Sequence, residues 1–200
     1  TYINKNLSKL KKNMFAGYVL SCVGDEREYS IVSSRNGNTL SDHSLEYLLK
    51  DKKNYIKYNF LDRGSDERQY CWPSVDLPVC VFCKSKFGNY PEYHTSDDNF
   101  KVVTKKGLNQ SFNIMTQLIN NFENSFYPQS TTICEPFLSK RNLYPTISKK
   151  NNNIKIQILL DVLTYCDSKN NEYSISNQLG INVNKIKNIF NILLKNDLIK

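Results

Sequence analysis

The chain has 200 residues, of which 40% are apolar and 12% aromatic, and a formal net charge of +8 at pH 7. This length allows one domain of ordinary size and a smaller one. A mean hydropathy of −0.53 and the lack of any long apolar run exclude a membrane-spanning helix. Three of the six cysteines, Cys22, Cys80 and Cys83, fall in apolar runs, so we expect buried free thiols and a cytoplasmic location.

The first 128 residues alternate between strand-like and helix-like patterns. Four runs predict strands, at 15–23, 28–33, 55–61 and 77–83. A helix begins at the capping residue Thr39 or Ser41 and runs to Lys50, and apolar residues three and four apart predict another over 106–126. The alternation indicates an α/β domain.

The last third of the chain has a different pattern. Residues 129–150 lack periodicity and are predicted as a connector. Residues 151–200 predict a small all-α domain with a helix over 154–166, followed by a short helix, a turn at Gly180 and a second helix. This order is typical of a helix-turn-helix. The predicted organisation is therefore a domain over 1–128, the connector and the small domain.

The positive charge is concentrated near the C-terminal end. From Ser139 onward, ten basic and four acidic side chains contribute +6 of the net +8. Lys185 and Lys187 would face a DNA groove, yet the second helix has no arginine, the residue that reads guanine best. Nucleic acid is thus a disfavoured partner, and packing within a homo-oligomer is the alternative use of such a helix.

Polar side chains that could carry chemistry lie on both sides of the strand predicted at 77–83. They are Asp62, Asp66 and Glu67 before the strand, and His94, Asp97 and Asp98 after it. Groups that precede and follow one strand lie at the edges of its sheet, where α/β proteins build their sites. Cys80-x-x-Cys83 has no second pair to complete a structural zinc site, so we assign it no metal.

Two motifs resemble those of a known enzyme class. Residues 93–98 (Tyr-His-Thr-Ser-Asp-Asp) resemble the His-Thr-x-x-Asp motif that closes the active site of zinc-dependent aminopeptidases and glutaminyl cyclases. Residues 64–67 with 76–79 are similar to their Gly-Ser-Asp-His and Gly-Ile-Pro-Ala segments. The resemblance is closer to a bacterial family with an aminopeptidase-like domain and a winged-helix tail, often linked to surface-polysaccharide genes. Further matching blocks lie at 17–25, 61–71, 85–95 and 134–145.

The resemblance implies a fold and a missing partner. The chain resembles the C-terminal half of a mixed-sheet α/β domain of the zinc-aminopeptidase kind, followed by a winged helix-turn-helix domain. Family members are longer, and their N-terminal half carries the other zinc ligands and a glutamate base. That half is the first expected partner, a peptide or amide the expected substrate, and this chain alone is expected to be inactive.

The resemblance also implies roles for single residues. His94 would be a zinc ligand, oriented by Asp97 and Asp98, and Asp66 a catalytic carboxylate outside the ligand shell. Substrate-binding candidates are Arg63, Glu67, Arg68 and Tyr93. A two-zinc enzyme would need an aspartate where Ser21 stands, so one zinc is expected.

Simpler interpretations remain open for the same residues. A lone histidine beside two acids is typical of a surface turn, Asp66 of a helix start, and Glu67 could pair with Arg68. Asp62 is expected to hold its loop in place.

The sequence therefore favours part of a zinc-dependent, aminopeptidase-like hydrolase of peptide or amide bonds, with a link to polysaccharide biosynthesis. The alternative is a non-catalytic remnant, or a binding module whose basic tail contacts nucleic acid or a protein partner. Apolar surface and open sheet edges are expected where the missing half would pack.

Overall fold

The computed structural model describes residues 2–141, 143 and 150–200. The chain forms two compact units, Thr1–Glu123 and Asn124–Lys200. Part of the predicted connector, residues 142 and 144–149, lies outside the described residues.

The first unit contains a mixed four-stranded sheet, as the fold prediction required. Its strands are β1 (Gly17–Leu20), β2 (Tyr29–Val32), β3 (Tyr55–Tyr58) and β4 (Val79–Cys83), in the order β1-β4-β2-β3. β1 is parallel to β4 and β2 is parallel to β3, whereas β2 and β4 are antiparallel. The strands are shorter than predicted. β3, for example, ends before Asn59, whose side chain accepts the Leu61 N–H and starts a 3-10 turn at Phe60–Asp62.

β4 lies at the centre, and all five of its residues are buried. Its continuous apolar run predicted this, because a strand covered on both faces needs no polar alternation. Cys80 packs with Phe82 on one face of the sheet, and Cys83 packs with Val81 on the other. The two thiols therefore point to opposite faces, which explains why the Cys-x-x-Cys spacing makes no metal pair.

Helices lie against both faces of the sheet. The first unit has α1 (Tyr2–Asn13), α2 (Leu40–Leu49), α3 (Glu67–Tyr70) and α4 (Lys105–Glu123). Leu45 and Leu49 of α2 and Ile114 of α4 pack on one face. The opposite face is covered by α1 and α3, which pack around Val79, and by Phe87 and Tyr93 from the loop that follows β4. That loop carries the predicted histidine ligand, so its course decides the site.

The second unit is a helix-turn-helix unit built from α5 (Lys150–Thr164), α6 (Glu172–Leu179) and α7 (Val183–Lys195). Asn171 caps α6 with a capping box, and Gly180 ends it at φ 64°, a left-handed conformation that favours glycine. Three short segments join in antiparallel bridges, Gln129 with Asp167 and Ser130 with Ile199. The start of the predicted connector is therefore built into this unit.

Candidate functional site

The loop 84–104 links β4 to α4, and residues directly after β1 hold both of its ends. Asp25 is buried there, and its Oδ2 accepts the Ser85 N–H at 2.8 Å while its Oδ1 accepts the Ser85 hydroxyl at 2.9 Å. At the far end the Thr104 N–H donates to the Gly24 carbonyl at 2.9 Å. The loop thus leaves and rejoins the sheet at one place.

The middle of the loop is held by an ion pair. Both terminal nitrogens of Arg27 donate to the carboxylate of Glu92, at 2.9 and 2.8 Å, and this bidentate contact lowers the pKa of Glu92. The same guanidinium lies 5.9 Å from the ring centre of Tyr90. The Tyr90 hydroxyl lies 3.5 Å from Cys22 Sγ and 3.2 Å from Asp98 Oδ2, and burial raises the pKa of Tyr90. These contacts therefore fix the loop on either side of the histidine.

His94 is exposed and has a left-handed backbone at φ 60°. Such a conformation is uncommon for a residue with a Cβ and is found preferentially at functional sites. Its ring stacks on Tyr93, with centroids 4.0 Å apart and planes 16° apart, and Tyr93 meets the edge of Tyr90 at 5.6 Å. The imidazole is therefore displayed outward from an aromatic stack.

The two predicted orienting aspartates make other hydrogen bonds. The Asp98 carboxylate accepts a hydrogen bond from the Tyr90 hydroxyl, and the backbone N–H of Asp97 donates to Thr95 Oγ1. In the part of the chain that the structure describes, no hydrogen bond joins His94 to either aspartate. Here the ring of Tyr93, rather than a carboxylate, sets the orientation of the imidazole.

The acidic loop before β4 contains one buried and one exposed carboxylate. Glu67 is completely buried, and its Oε1 accepts the N–H groups of Gly64 at 2.7 Å and Ser65 at 3.1 Å, whereas its Oε2 has no hydrogen-bond partner among the described residues. It therefore closes its own turn, and in this structure it reaches neither solvent nor Arg68. Asp62 also holds the loop, because its Oδ2 accepts the Asn59 N–H.

The remaining predicted residues of this loop are exposed. Asp66 stands at the start of α3 without a side-chain capping bond. Arg63 places its guanidinium 5.0 Å from the ring centre of Phe60, and Arg68 is exposed. Asp66, Arg63 and Arg68 are thus accessible to a ligand.

The acidic loop and the histidine loop meet. A Cβ on Gly64 would come within 2.5 Å of the Phe87 ring, so glycine allows the close approach. Phe87 and Tyr93 cover the same face of the sheet. The structure therefore brings the two predicted loops together on one face, although no contact joins Asp66 to His94.

The described residues do not by themselves make a zinc site. A zinc ion in a protein is held by four protein ligands, or by three protein ligands and a water. In the described part of the chain, no group of three or more His, Cys, Asp or Glu side chains is suited to hold a metal. Ser21, at the position where a second zinc would need an aspartate, offers only a hydroxyl, and that hydroxyl lies 3.7 Å from Cys22 Sγ.

In the second unit, the two predicted groove-facing lysines differ. Lys187 Nζ lies 3.4 Å from Glu172 Oε1 and 5.4 Å from the ring centre of Tyr173, so this ammonium group is paired with two residues of α6. Lys185 is exposed. Across the described residues, none of the helices is both long and apolar enough to cross a membrane.

Comparison with known proteins gives the chain a family. The profile described as "Domain of unknown function (DUF4910)" matches residues 1–125, and a winged helix-turn-helix profile matches residues 126–200. A *Clostridium acetobutylicum* protein, provisionally named a polysaccharide biosynthesis protein with an aminopeptidase-like domain, is 32% identical over the whole of this chain, which covers 46% of that protein.

A solved structure from the same organism supports the fold. It is provisionally titled a peptidase, and it matches with a TM-score of 0.68 at 30% identity over 100% of this chain and 44% of its own. This chain thus spans less than half the length of these relatives. From the profile match over its first 125 residues, the chain belongs to the family of the DUF4910 domain, here followed by a winged helix-turn-helix domain.

Proposed function

We propose that this chain is one part of a peptidase-like hydrolase that cleaves peptide or amide bonds in connection with polysaccharide biosynthesis. The names of its relatives support the peptidase-like kind. The observation that carries the proposal is His94, exposed in a left-handed conformation on a loop that is fastened at both ends and in the middle. A rigid loop that holds an outward imidazole is suited to placing one ligand or one acid–base group.

The proposal assigns one zinc ion to the complete site, with His94 as one of its ligands. Zinc, when bound, supplies a Lewis acid and an activated water. The remaining ligands lie in polypeptide outside this chain, since the described residues offer no complete set. Asp66 is proposed as the catalytic carboxylate because it is exposed on the loop that meets the histidine loop, and the exposed Arg63 and Arg68 are suited to a charged substrate end. Glu67 keeps a structural part, because it is buried.

A hybrid protein tests the proposal. In it, this chain replaces the matching part of the *C. acetobutylicum* relative, and zinc is measured by elemental analysis after purification. We expect about one zinc per molecule, lost in His94→Ala, together with hydrolysis of amino-acid amides. His43→Ala is the matched control, because His43 is the only other histidine and its ring bonds to Asn38. Zinc that is absent, or retained in His94→Ala, would rule out His94 as a ligand.

The winged helix-turn-helix match supports a second candidate, a binding function for the second unit. The test is fluorescence anisotropy with a 30-base-pair duplex at low and moderate salt. A salt-dependent affinity that falls in Lys185→Gln would favour nucleic acid. Binding that is absent at low salt would leave a protein partner as the candidate.

A further inference from the structure

The exposed apolar side of α4 and the outer edge of β1 form a surface for a partner. We propose that this surface binds the polypeptide that corresponds to the unmatched part of the relatives, and that an extended segment of it pairs with β1. This inference rests on the proposed function, because it treats the chain as one part of a larger peptidase-like domain.

The surface, which we call the β1–α4 surface, is apolar and open. Its most exposed members are Phe15 at 60%, Leu20 at 54%, Phe112 at 70% and Ile119 at 58%. A groove of about 300 Å³ runs between the strand and the helix, and Met115 also lines it. Contiguous apolar patches of this kind on a soluble protein mark interaction sites.

The sequence of α4 shows that two sides of the helix are built for burial. One side packs on the sheet through Gly107, Ser111, Ile114 and Leu118. The other carries a second stripe with helical spacing, at 108, 112, 115, 119 and 122. A surface helix needs only one such stripe. The second stripe indicates that α4 lies between two layers in the complete domain.

The two outer strands of the sheet differ in how their edges are protected. β3 carries Lys57, whose ammonium bonds to Glu46 at 2.8 Å, and a lysine on an edge strand opposes pairing with another chain. β1, Gly-Tyr-Val-Leu, carries no charge and no proline. β1 therefore has the sequence of an interior strand at an edge position.

The relatives indicate what covers this surface. The *C. acetobutylicum* protein matches all of this chain with only 46% of its own length, and the solved structure with 44% of its length. More than half of each relative is therefore polypeptide without a counterpart here. A segment of it added to β1 would satisfy the open backbone groups, and its apolar side chains would fill the groove.

Binding of a defined polypeptide tests the inference. The probe is the unmatched part of the *C. acetobutylicum* relative, produced as a separate chain, and its affinity for this chain is measured by calorimetry without added zinc. We expect Ile119→Asp and Phe112→Asp each to weaken binding by about tenfold or more, because a charge enters the apolar contact. Leu61→Asp is the matched control, since Leu61 is 81% exposed in the same unit but lies outside the surface. Thermal midpoints show that each variant folds.

Hydrogen exchange locates the added strand. In the complex the backbone amides of β1 are expected to exchange more slowly, while those of β3 stay unchanged. Failure of the probe to bind, equal effects of Leu61→Asp and Ile119→Asp, or protection at β3 instead of β1 would each overturn the inference. So would a dimer of this chain that Ile119→Asp dissociates, because a second copy would then occupy the surface.

The two proposals can fail separately. A complex that forms through the β1–α4 surface but holds no zinc would contradict the proposed metallohydrolase and support the proposed interface. A hybrid that holds zinc through His94, while Ile119→Asp binds the probe normally, would support the metallohydrolase and contradict the interface.

Discussion

The contacts of single residues explain how a flexible-looking loop holds His94. Arg27 forms an ion pair with Glu92, two residues before the histidine, and its guanidinium also lies near the ring of Tyr90. The ring of Tyr90 contacts that of Tyr93 edge to face. The imidazole then rests on Tyr93. Arg27 is therefore a positioning residue that acts on His94 through a carboxylate and two aromatic rings.

Arg27→Gln is expected to release the histidine from its stack. The ring protons of His94 lie over Tyr93, so they should resonate upfield of free histidine, and the substitution should return them toward random-coil shifts. Two histidines make a ¹H–¹³C ring spectrum easy to assign. Arg35→Gln is the matched control, because it removes a similar bidentate pair with Asp76 elsewhere. Unchanged His94 shifts in Arg27→Gln would show that the ion pair does not position the ring.

Glu67→Ala is expected to destabilise the first unit by about 3 kcal/mol, since it removes a completely buried side chain and the acceptor of the Gly64 and Ser65 N–H groups. Asp66→Ala, which removes an exposed carboxylate without a capping bond, should cost less than about 0.5 kcal/mol. Urea denaturation measures both. A larger loss for Asp66→Ala than for Glu67→Ala would contradict the roles given to the two acids.

The sequence indicated some of these residue roles and concealed others. The motif around His94 pointed to its loop, and Asp62 was expected to hold a turn, as it does. The pair Arg27–Glu92 could not be found, because 65 residues separate its members and no local spacing links them. Glu67 resembled a ligand-binding acid, because sequence spacing does not reveal that a side chain folds back onto its own turn.

At the scale of elements, a glycine lets α4 approach the backbone that follows β1. A Cβ at Gly107 would lie 2.0 Å from the Gly24 carbonyl oxygen, and the Ser111 hydroxyl donates to the Val23 carbonyl one turn later. The helix therefore rests directly on the backbone that follows β1. The same stretch fastens the histidine loop, so helix and loop share one support.

Gly107→Ala should destabilise the first unit by about 2–3 kcal/mol, although alanine favours helices, because helix and turn would have to separate. Asn113→Ala, at an exposed position of the same helix, should change stability by less than about 0.5 kcal/mol. Thermal unfolding compares them. Equal midpoints for the two variants would show that the close approach is easily relaxed.

Element types were more predictable than element ends. The buried run of β4 and the Gly180 turn have local signals and form as expected, and of the two predicted caps of α2, Thr39 and Ser41, the structure uses Thr39. The pairing order β1-β4-β2-β3 has no local signal, since it depends on which apolar faces meet. The resemblance to a mixed-sheet family supplied the type of sheet, and the pairing order was not predicted.

Across the whole molecule, the six cysteines should divide sharply by reactivity. Cys134 is exposed and Cys22 half-buried, whereas Cys71, Cys80, Cys83 and Cys166 are buried. With a thiol reagent such as DTNB at pH 8, we expect Cys134 to react quickly, Cys22 more slowly, and the other four only upon unfolding. Rapid reaction of more than two thiols in the folded protein would contradict this burial.

The same thiols should make the protein less stable in alkali. Burial raises the pKa of Cys80, of Cys83 and of Cys166, the last to about 12, from an ordinary 9.0. Above pH 9 the unfolded chain therefore binds fewer protons than the folded one, so the free energy of unfolding falls as pH rises. Lys84 acts in the opposite direction, because burial lowers its pKa. Urea unfolding at pH 8 and pH 10, under reducing conditions, measures the net change, which we expect to be a loss.

The strand order also dictates a sequence of events during synthesis. β1 is synthesised before its partner β4, which follows roughly sixty residues later, and β2 and β3 emerge between them. Until β4 emerges, β2 can pair only with β3 within this sheet, and the nascent β1 lacks its neighbour β4 and stays exposed on that side. A chaperone that binds short apolar stretches would therefore find its best target in residues 15–20, and pauses in translation before Val79 would prolong that exposure.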